Sequence, residues 1–375
     1  MLALRRCGAV ATALALGASL IAPCAARVEA EEPGGSAEAD ADQEPAPPSR
    51  VLVRGFGDID WLSRRSDDPN SFVVGQLDLF MTTELTDNVS VLAEVVLEAV
   101  DDPEDQIADV ERFQVQYAPS DAFRIALGRM HTLLGYWNQT YHHGAWLHTT
   151  VSRPEVYRWE DEKGGGILPV HEVGLRVFGA ASTPAIRIEY NASLANGRGL
   201  TPDEVVTLQD HDEAKAVNLW LGLQPRAWPG LEVGGAVHFD TIPAHPEDPA
   251  RVNRLQERIL SGFLAFRRSN AEVLAEAFEI RHEDDIAGAI YHTTGLYAQG
   301  GFAFGRVKPY YRFDLIDRDE ADPYWGDAIR DLRKHTLGVR LDIWSRVALK
   351  LEVSHNDPRS GDTFASAAAQ VAFTF

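Results

Sequence analysis

Cysteine is almost absent from this 375-residue chain: Cys7 and Cys24 are the only two, both near the start. Beyond them no disulfide, thiolate metal site or cysteine nucleophile can form. Long apolar runs are equally scarce. The longest, 9–22, falls short of the roughly 20 residues a membrane-crossing helix needs, so a helical protein of several spans is excluded. Basic charge is in deficit, with Lys+Arg 35 against Asp+Glu 56 and a formal charge of -21. DNA and RNA would be repelled by such a surface. With a mean hydropathy of -0.20, composition alone describes an acidic water-soluble protein. The order of the residues says otherwise.

Arg5 and Arg6 precede the apolar stretch, and small residues follow it. This is the pattern of a secretory signal peptide over residues 1–30, with cleavage after Ala26 or Ala30. Both cysteines then leave with it. Residues 31–50 (EEPGGSAEADADQEPAPPSR) carry six acids, four prolines and no large apolar side chain. Such a segment cannot bury enough surface to offset chain entropy and is expected to be a disordered acidic linker.

From Val51 to Phe375 apolar residues recur at every second position. Leu337, Val339, Leu341 and Ile343 alternate with Thr336, Arg340 and Asp342, and Val347, Leu349, Leu351 and Val353 with Arg346, Lys350, Glu352 and Ser354. The last strand has Ala365, Ala367, Ala369, Val371, Phe373 and Phe375 in one row. One face therefore meets an apolar medium and the other meets water. About sixteen such segments occur, and their connections alternate between tight turns and long loops. Tyr117, Phe123, Trp344 and Phe373 lie near turns, where an interfacial aromatic girdle belongs. A soluble β-sandwich also alternates, but its loops need not sort by length. The pattern predicts an all-β transmembrane antiparallel barrel in the bacterial outer membrane. Phe375 matches the terminal aromatic read by the barrel assembly machinery. The mixed periodicity of 255–266 and 270–283 predicts a bulge or shifted register there.

About sixteen strands enclose a lumen wide enough for water. Alternation points Lys308, Arg312, Lys334, Arg340, Arg346 and Lys350 inward against Asp314, Asp342 and Glu352. Asp58, Asp60, Asp78, Glu84, Glu94 and Glu98 point inward with Arg54, and Arg187 lies on the water face of its strand. A basic arc beside an acidic one would focus a field across the pore, and the same charges can pair and keep the interior wet. Two acidic loops, with Asp101, Asp102, Glu104 and Asp105 in one and Asp319, Glu320, Asp322 and Asp327 in the other, are expected to be solvated charged loops, with divalent cations bridging lipopolysaccharide as the second reading.

Residues 130–170 are too long for a passive connection, so they are expected to fold into the lumen or to function directly. Six aromatics, Tyr136, Trp137, Tyr141, Trp146, Tyr157 and Trp159, need a packing surface, and the inner wall is one. His131, His142, His143, His148 and His171 are five of the chain's 12 histidines. Arg153, Arg158 and Lys163 are offset by Glu155, Glu160, Asp161 and Glu162. The pore constriction is expected at His131, Tyr136, Trp137, His142, His143, His148, Arg153, Arg158, Glu160, Asp161 and Glu162.

The segments GRMHTLLGYWNQTYHHG, starting at Gly128, and GGGILPVHEVG, ending at Gly174, resemble the porin-like outer-membrane proteins related to the phosphate-selective porin O and P family. That resemblance implies a non-enzymatic diffusion channel without cofactor, narrowed by this loop, set in lipid and lipopolysaccharide and often homotrimeric. A second reading is a histidine-dependent metal-binding or metal-uptake barrel, with His142, His143 and His148 as candidate ligands. Adjacent His142 and His143 point different ways on an extended chain, which counts against a shared ion. A third is an outer-membrane hydrolase, although neither G-x-S-x-G nor HExxH occurs.

Overall fold

The computed structural model describes residues 50–63, 70–98, 108–158, 166–202, 210–249, 251–326 and 329–375. The expected signal peptide and nearly all of the expected linker, the acidic loop at 101–105, Asp327, and the loop residues Trp159, Glu160, Asp161, Glu162 and Lys163 lie outside them. Within the described residues sixteen strands follow one another: β1 (Val51–Ser63), β2 (Ser71–Thr86), β3 (Val89–Glu98), β4 (Ala108–Ser120), β5 (Phe123–His131), β6 (His171–Ser182), β7 (Ile186–Ala195) and β8 (Ala216–Pro225). Then come β9 (Leu231–Ile242), β10 (Leu255–Arg268), β11 (Ala271–Asp284), β12 (Ile290–Phe302), β13 (Val307–Arg318), β14 (Leu332–Trp344), β15 (Val347–Pro358) and β16 (Phe364–Thr374). Each pairs antiparallel with its sequence neighbours, and β1 pairs with β16 to close the ring. The carbonyl of Phe375 accepts from Gly55 N–H at 3.2 Å, and Phe375 N–H donates back at 3.1 Å. Closure leaves no edge with unpaired backbone groups.

The period-two rows sort as their chemistry requires. On β15, Lys350 is 0% exposed while Val353 is 57% exposed, two faces of one strand. Leu219, Leu221, Leu337 and Leu351 are likewise exposed on the outer face. A closed barrel with an apolar exterior is stable against lipid, not water. Tyr117, Phe123, Trp228, Phe304 and Trp344 are exposed beside the tight turns, all at one end of the barrel. Long connections occupy the other end.

The bulge expected near 255–283 is not there. The β10–β11 ladder runs unbroken from Leu255 opposite Asp284 to Arg268 opposite Ala271. Periodicity blurs because the inner face is apolar too: Ile259, Phe263, Leu274, Phe278 and Ile280 are buried and belong to the hydrophobic core. Register does shift elsewhere, notably at Glu94/Val95 on β3. There Glu94 pairs with Arg112 and Val95 with Val110, so Glu111 is the extra residue of a bulge on β4.

Candidate functional site

The connection between β5 and β6 holds a one-turn helix, α1 (Trp137–Thr140), and a 3₁₀ turn at Glu155–Tyr157. Its described residues are bonded to strands on several sides of the inner wall. On one side the contact is apolar. Leu133, Leu134, Trp137, Val156, Tyr157 and Ile167 pack with Trp220, Ile259, Phe263, Leu274 and Phe278. Trp137 stacks on Tyr157 with ring centroids 5.3 Å apart, and Tyr136 lies 5.3 Å from Phe263.

One carboxylate interrupts this surface. Glu276 of β11 accepts the N–H of Tyr136 at 2.5 Å and of Trp137 at 2.8 Å, and the hydroxyls of Tyr157 at 3.0 Å and Tyr297 at 2.7 Å. Four donors on a buried carboxylate make an anchor point for the loop. Gly135 permits the close approach. Its φ is +80°, and a Cβ there would collide with the Tyr157 hydroxyl and Glu276.

On β13, β14 and β15 the contact is ionic and directional. Lys350 Nζ donates to the carbonyls of Ala145 at 2.6 Å and Thr150 at 3.0 Å. Arg340 donates to the carbonyls of Trp146 at 2.6 Å and His148 at 2.7 Å. Arg312 reaches the carbonyls of Ser152 at 2.6 Å and Arg153 at 2.9 Å while its Nε donates to Asp314 at 2.8 Å. Glu352 accepts the N–H of Val151 at 2.9 Å, and Lys308 bridges Glu272 and Thr149, both at 2.9 Å. Lys334 donates to Glu155 at 2.6 Å. Burial works to raise the Glu155 carboxyl, but Lys334, Arg158 and Arg312 outweigh it and hold it below its ordinary value.

The histidines divide. His131 and His171 face each other across the β5–β6 ladder. His142 and His143 join them: Nε2 of His171, His143 and His142 lie 2.5, 3.0 and 3.7 Å from Glu111 Oε2. The expectation that His142 and His143 diverge is thus overturned. Residues 141–147 form turns rather than extended chain, His142 takes a φ of 23°, and the two rings are 4.4 Å apart. His148 stands away from this group, against the rings of Trp137 and Tyr141. Burial holds the imidazoles of His142 and His148 well below their ordinary 6.5, so both stay neutral at neutral pH.

Of the other expected residues, Arg153 lies 5.2 Å over the Trp137 ring, and Arg158 is 3.8 Å from Glu155. Asp78 and Glu94 are fully buried, with Glu94 paired to Arg112. Glu98 accepts from Gln76 at 2.7 Å, Arg187 pairs with Glu189 at 2.7 Å, and Arg54 is exposed. Sequence reasoning missed Glu111, Glu276 and Arg267, whose guanidinium donates to the Tyr136 and Tyr141 hydroxyls. For Glu111 a signal existed: the Glu111–Arg112 doublet breaks the alternation. Nothing local marks Glu276 as the residue that receives the loop.

No family model and no curated protein matches the chain, so the likeness to the phosphate-selective family remains one of sequence pattern. Solved structures do match. An anion-selective porin from Comamonas acidovorans superposes with a TM-score of 0.61 at 11% identity, covering 87% of this chain and 100% of that one. The outer membrane channel DcaP of Acinetobacter baumannii gives 0.58 at 13% identity, over 87% and 97%. OmpT, an outer membrane protein of Vibrio cholerae, gives 0.58 at 9% identity, over 89% and 100%. At these identities the likeness establishes the fold: a sixteen-stranded barrel of the outer-membrane porin type.

Proposed function

We propose that the chain is a bacterial outer-membrane diffusion channel, not an enzyme, passing small hydrophilic solutes, charged ones included, through a barrel narrowed by the loop at 130–170. One observation carries this reading: a long segment is bonded to inner faces on several sides of a barrel whose exterior is apolar. A loop so placed leaves less cross-section for solute than the sixteen strands enclose. The cations of β13–β15 hold the loop, so the charges left to meet a solute lie nearer the tight turns, among them Arg54, Glu84, Arg187 and Glu189. In this reading the protein sits in lipid and lipopolysaccharide, with Phe375 recognised by the assembly machinery and homotrimers as the assembly. Refolded protein in a planar bilayer tests it. Discrete ohmic current steps in neutral salt are the expected result, and a folded barrel that never conducts overturns the channel reading.

A further inference from the structure

Where the long loop leaves and rejoins the wall, three imidazoles and a carboxylate converge. Ligand-type atoms of Glu111, His131, His142 and His171 all lie within 4.8 Å of one another. We propose that these four residues form a closed site for one divalent transition-metal ion of the Zn²⁺ type, which staples the loop to β4, β5 and β6. The site is drawn from residues that hold whether or not the barrel conducts.

The hydrogen bonds around the cluster determine which atoms face its centre. Asn138 donates its amide N–H to the Val170 carbonyl at 2.9 Å, so its oxygen is the atom 2.7 Å from His142 Nδ1. His142 Nδ1 must then carry the proton, and its Nε2 presents a lone pair toward Glu111. Gln76 repeats the arrangement. Its amide donates to Glu98 at 2.7 Å, and its oxygen, 2.9 Å from His143 Nδ1, takes that ring's proton. This is how outer amides orient metal-binding imidazoles.

Lone pairs pointing at a carboxylate repel unless a cation lies between. Among the described residues, His131 Nε2, both ring nitrogens of His171 and Glu111 Oε2 are buried with no hydrogen-bond partner. His171 Nε2 is 2.5 Å from Glu111 Oε2, yet the two are not aligned as a hydrogen bond. Protonating every ring would set cations side by side, with His131 and His142 centroids 4.0 Å apart and His142 and His171 4.8 Å apart. One divalent ion satisfies all four groups. Tetrahedral coordination at about 2.0–2.1 Å sets ligands about 3.3 Å apart, so on binding the wider separations close while the 2.5 Å approach of His171 to Glu111 opens.

Two backbone features bring the cluster together. The β4 bulge places Glu111 among the histidines instead of in the outer row of Phe113 and Val115. The φ of 23° at His142 is a conformation that non-glycine residues rarely adopt. A second group among the described residues, His238, Asp240 and Glu257, has a similarly oriented imidazole but already holds a cation. There Arg198 Nε lies 2.9 Å from Glu257 and supplies the positive charge, while His282 bonds Glu257 at 2.9 Å and Asp322 at 2.8 Å. The ligand set is nitrogen-rich with its facing ring nitrogens buried, which selects Zn²⁺, Ni²⁺ or Cu²⁺ over Mg²⁺ or Ca²⁺ and marks a structural site.

The test is Zn²⁺ binding by the refolded, chelator-stripped full chain, read by competition with a chromophoric chelator. One ion per chain is expected, undisturbed by excess Mg²⁺ or Ca²⁺. His142→Ala and His171→Ala should abolish binding, and Asn138→Ala should weaken it about 10- to 100-fold. His148→Ala and His292→Ala should bind as the parent does. Should a ligand variant fail to fold, Co²⁺ added to the unmutated protein answers the question. A visible absorption of four-coordinate intensity supports the site. Folded parent that binds neither ion, or His142→Ala/His171→Ala protein that still binds one, overturns it.

Discussion

Along β8–β12 the loop meets Trp220, Phe263 and Phe278, whereas along β13–β15 it meets Arg312, Arg340 and Lys350. The first contact is non-directional: it covers apolar area, at roughly 1.5–3 kcal/mol for each large side chain fully buried. The second is directional and goes mainly to backbone. Residues 141–154 have turns but no ladder, so their carbonyls need donors once water is excluded. The carbonyls of Ala145, Trp146, His148, Thr150, Ser152 and Arg153 find them in the three cations. Charge on that arc therefore serves to hold an irregular backbone before it serves to select a solute. Apolar burial brings the loop inward, and the cations fix where along the wall it rests.

The largest effect is expected at the one polar point of the apolar arc. Glu276→Ala leaves the N–H groups of Tyr136 and Trp137 and the Tyr297 hydroxyl without an acceptor and should cost loop docking about 4 kcal/mol. Trypsin cleavage after Arg158 would then approach the rate of an undocked loop, and Glu276→Gln should lie between. If Glu276→Ala leaves that rate unchanged, the apolar side alone holds the loop.

A smaller effect is expected on the ionic side. Lys334→Ala strips the closest cation from buried Glu155 and should weaken docking by about 3 kcal/mol, roughly a 100-fold faster cleavage. Arg158 and Arg312 remain near Glu155, which is why this loss is the lesser.

The smallest effect is one of pH. Burial, then Lys350 and Arg153, hold the His148 imidazole well below 6.5. A group depressed in this way contributes stability that is complete above its unfolded value and is lost as pH falls from there toward the folded one. Cleavage after Arg158, relative to that of a free peptide substrate, should accelerate modestly from about pH 7.5 to about 5.5, and His148→Phe should remove part of that slope. A slope identical in the variant would place the titration elsewhere.

The strands were legible because the period of two is enforced by two different solvents. Leu351 and Lys350 could not exchange faces without exposing a charge to lipid. The turns, the long connections and the sixteen segments followed from the same rule. The rule failed where a protein surface replaced water inside. Ile259, Phe263, Leu274 and Phe278 are apolar because a loop covers them, so β10 and β11 looked irregular while pairing without interruption. The histidines of the loop were conspicuous, but their grouping was not. His148 lies ten residues or fewer from its neighbours in sequence yet away from their cluster. Glu111, on a strand that alternation assigns to lipid, reaches the cluster through a bulge. Partners more than a hundred residues apart, such as Tyr136 and Glu276, leave no periodic trace.

In the proposed channel the loop at 130–170 narrows the lumen and limits flow. Single-channel conductance of the full chain against a 136–163 deletion, in the same salt and bilayer, tests it most directly. A conductance several-fold larger is expected for the deletion, with the barrel still folded. Equal conductance from two folded barrels would contradict it.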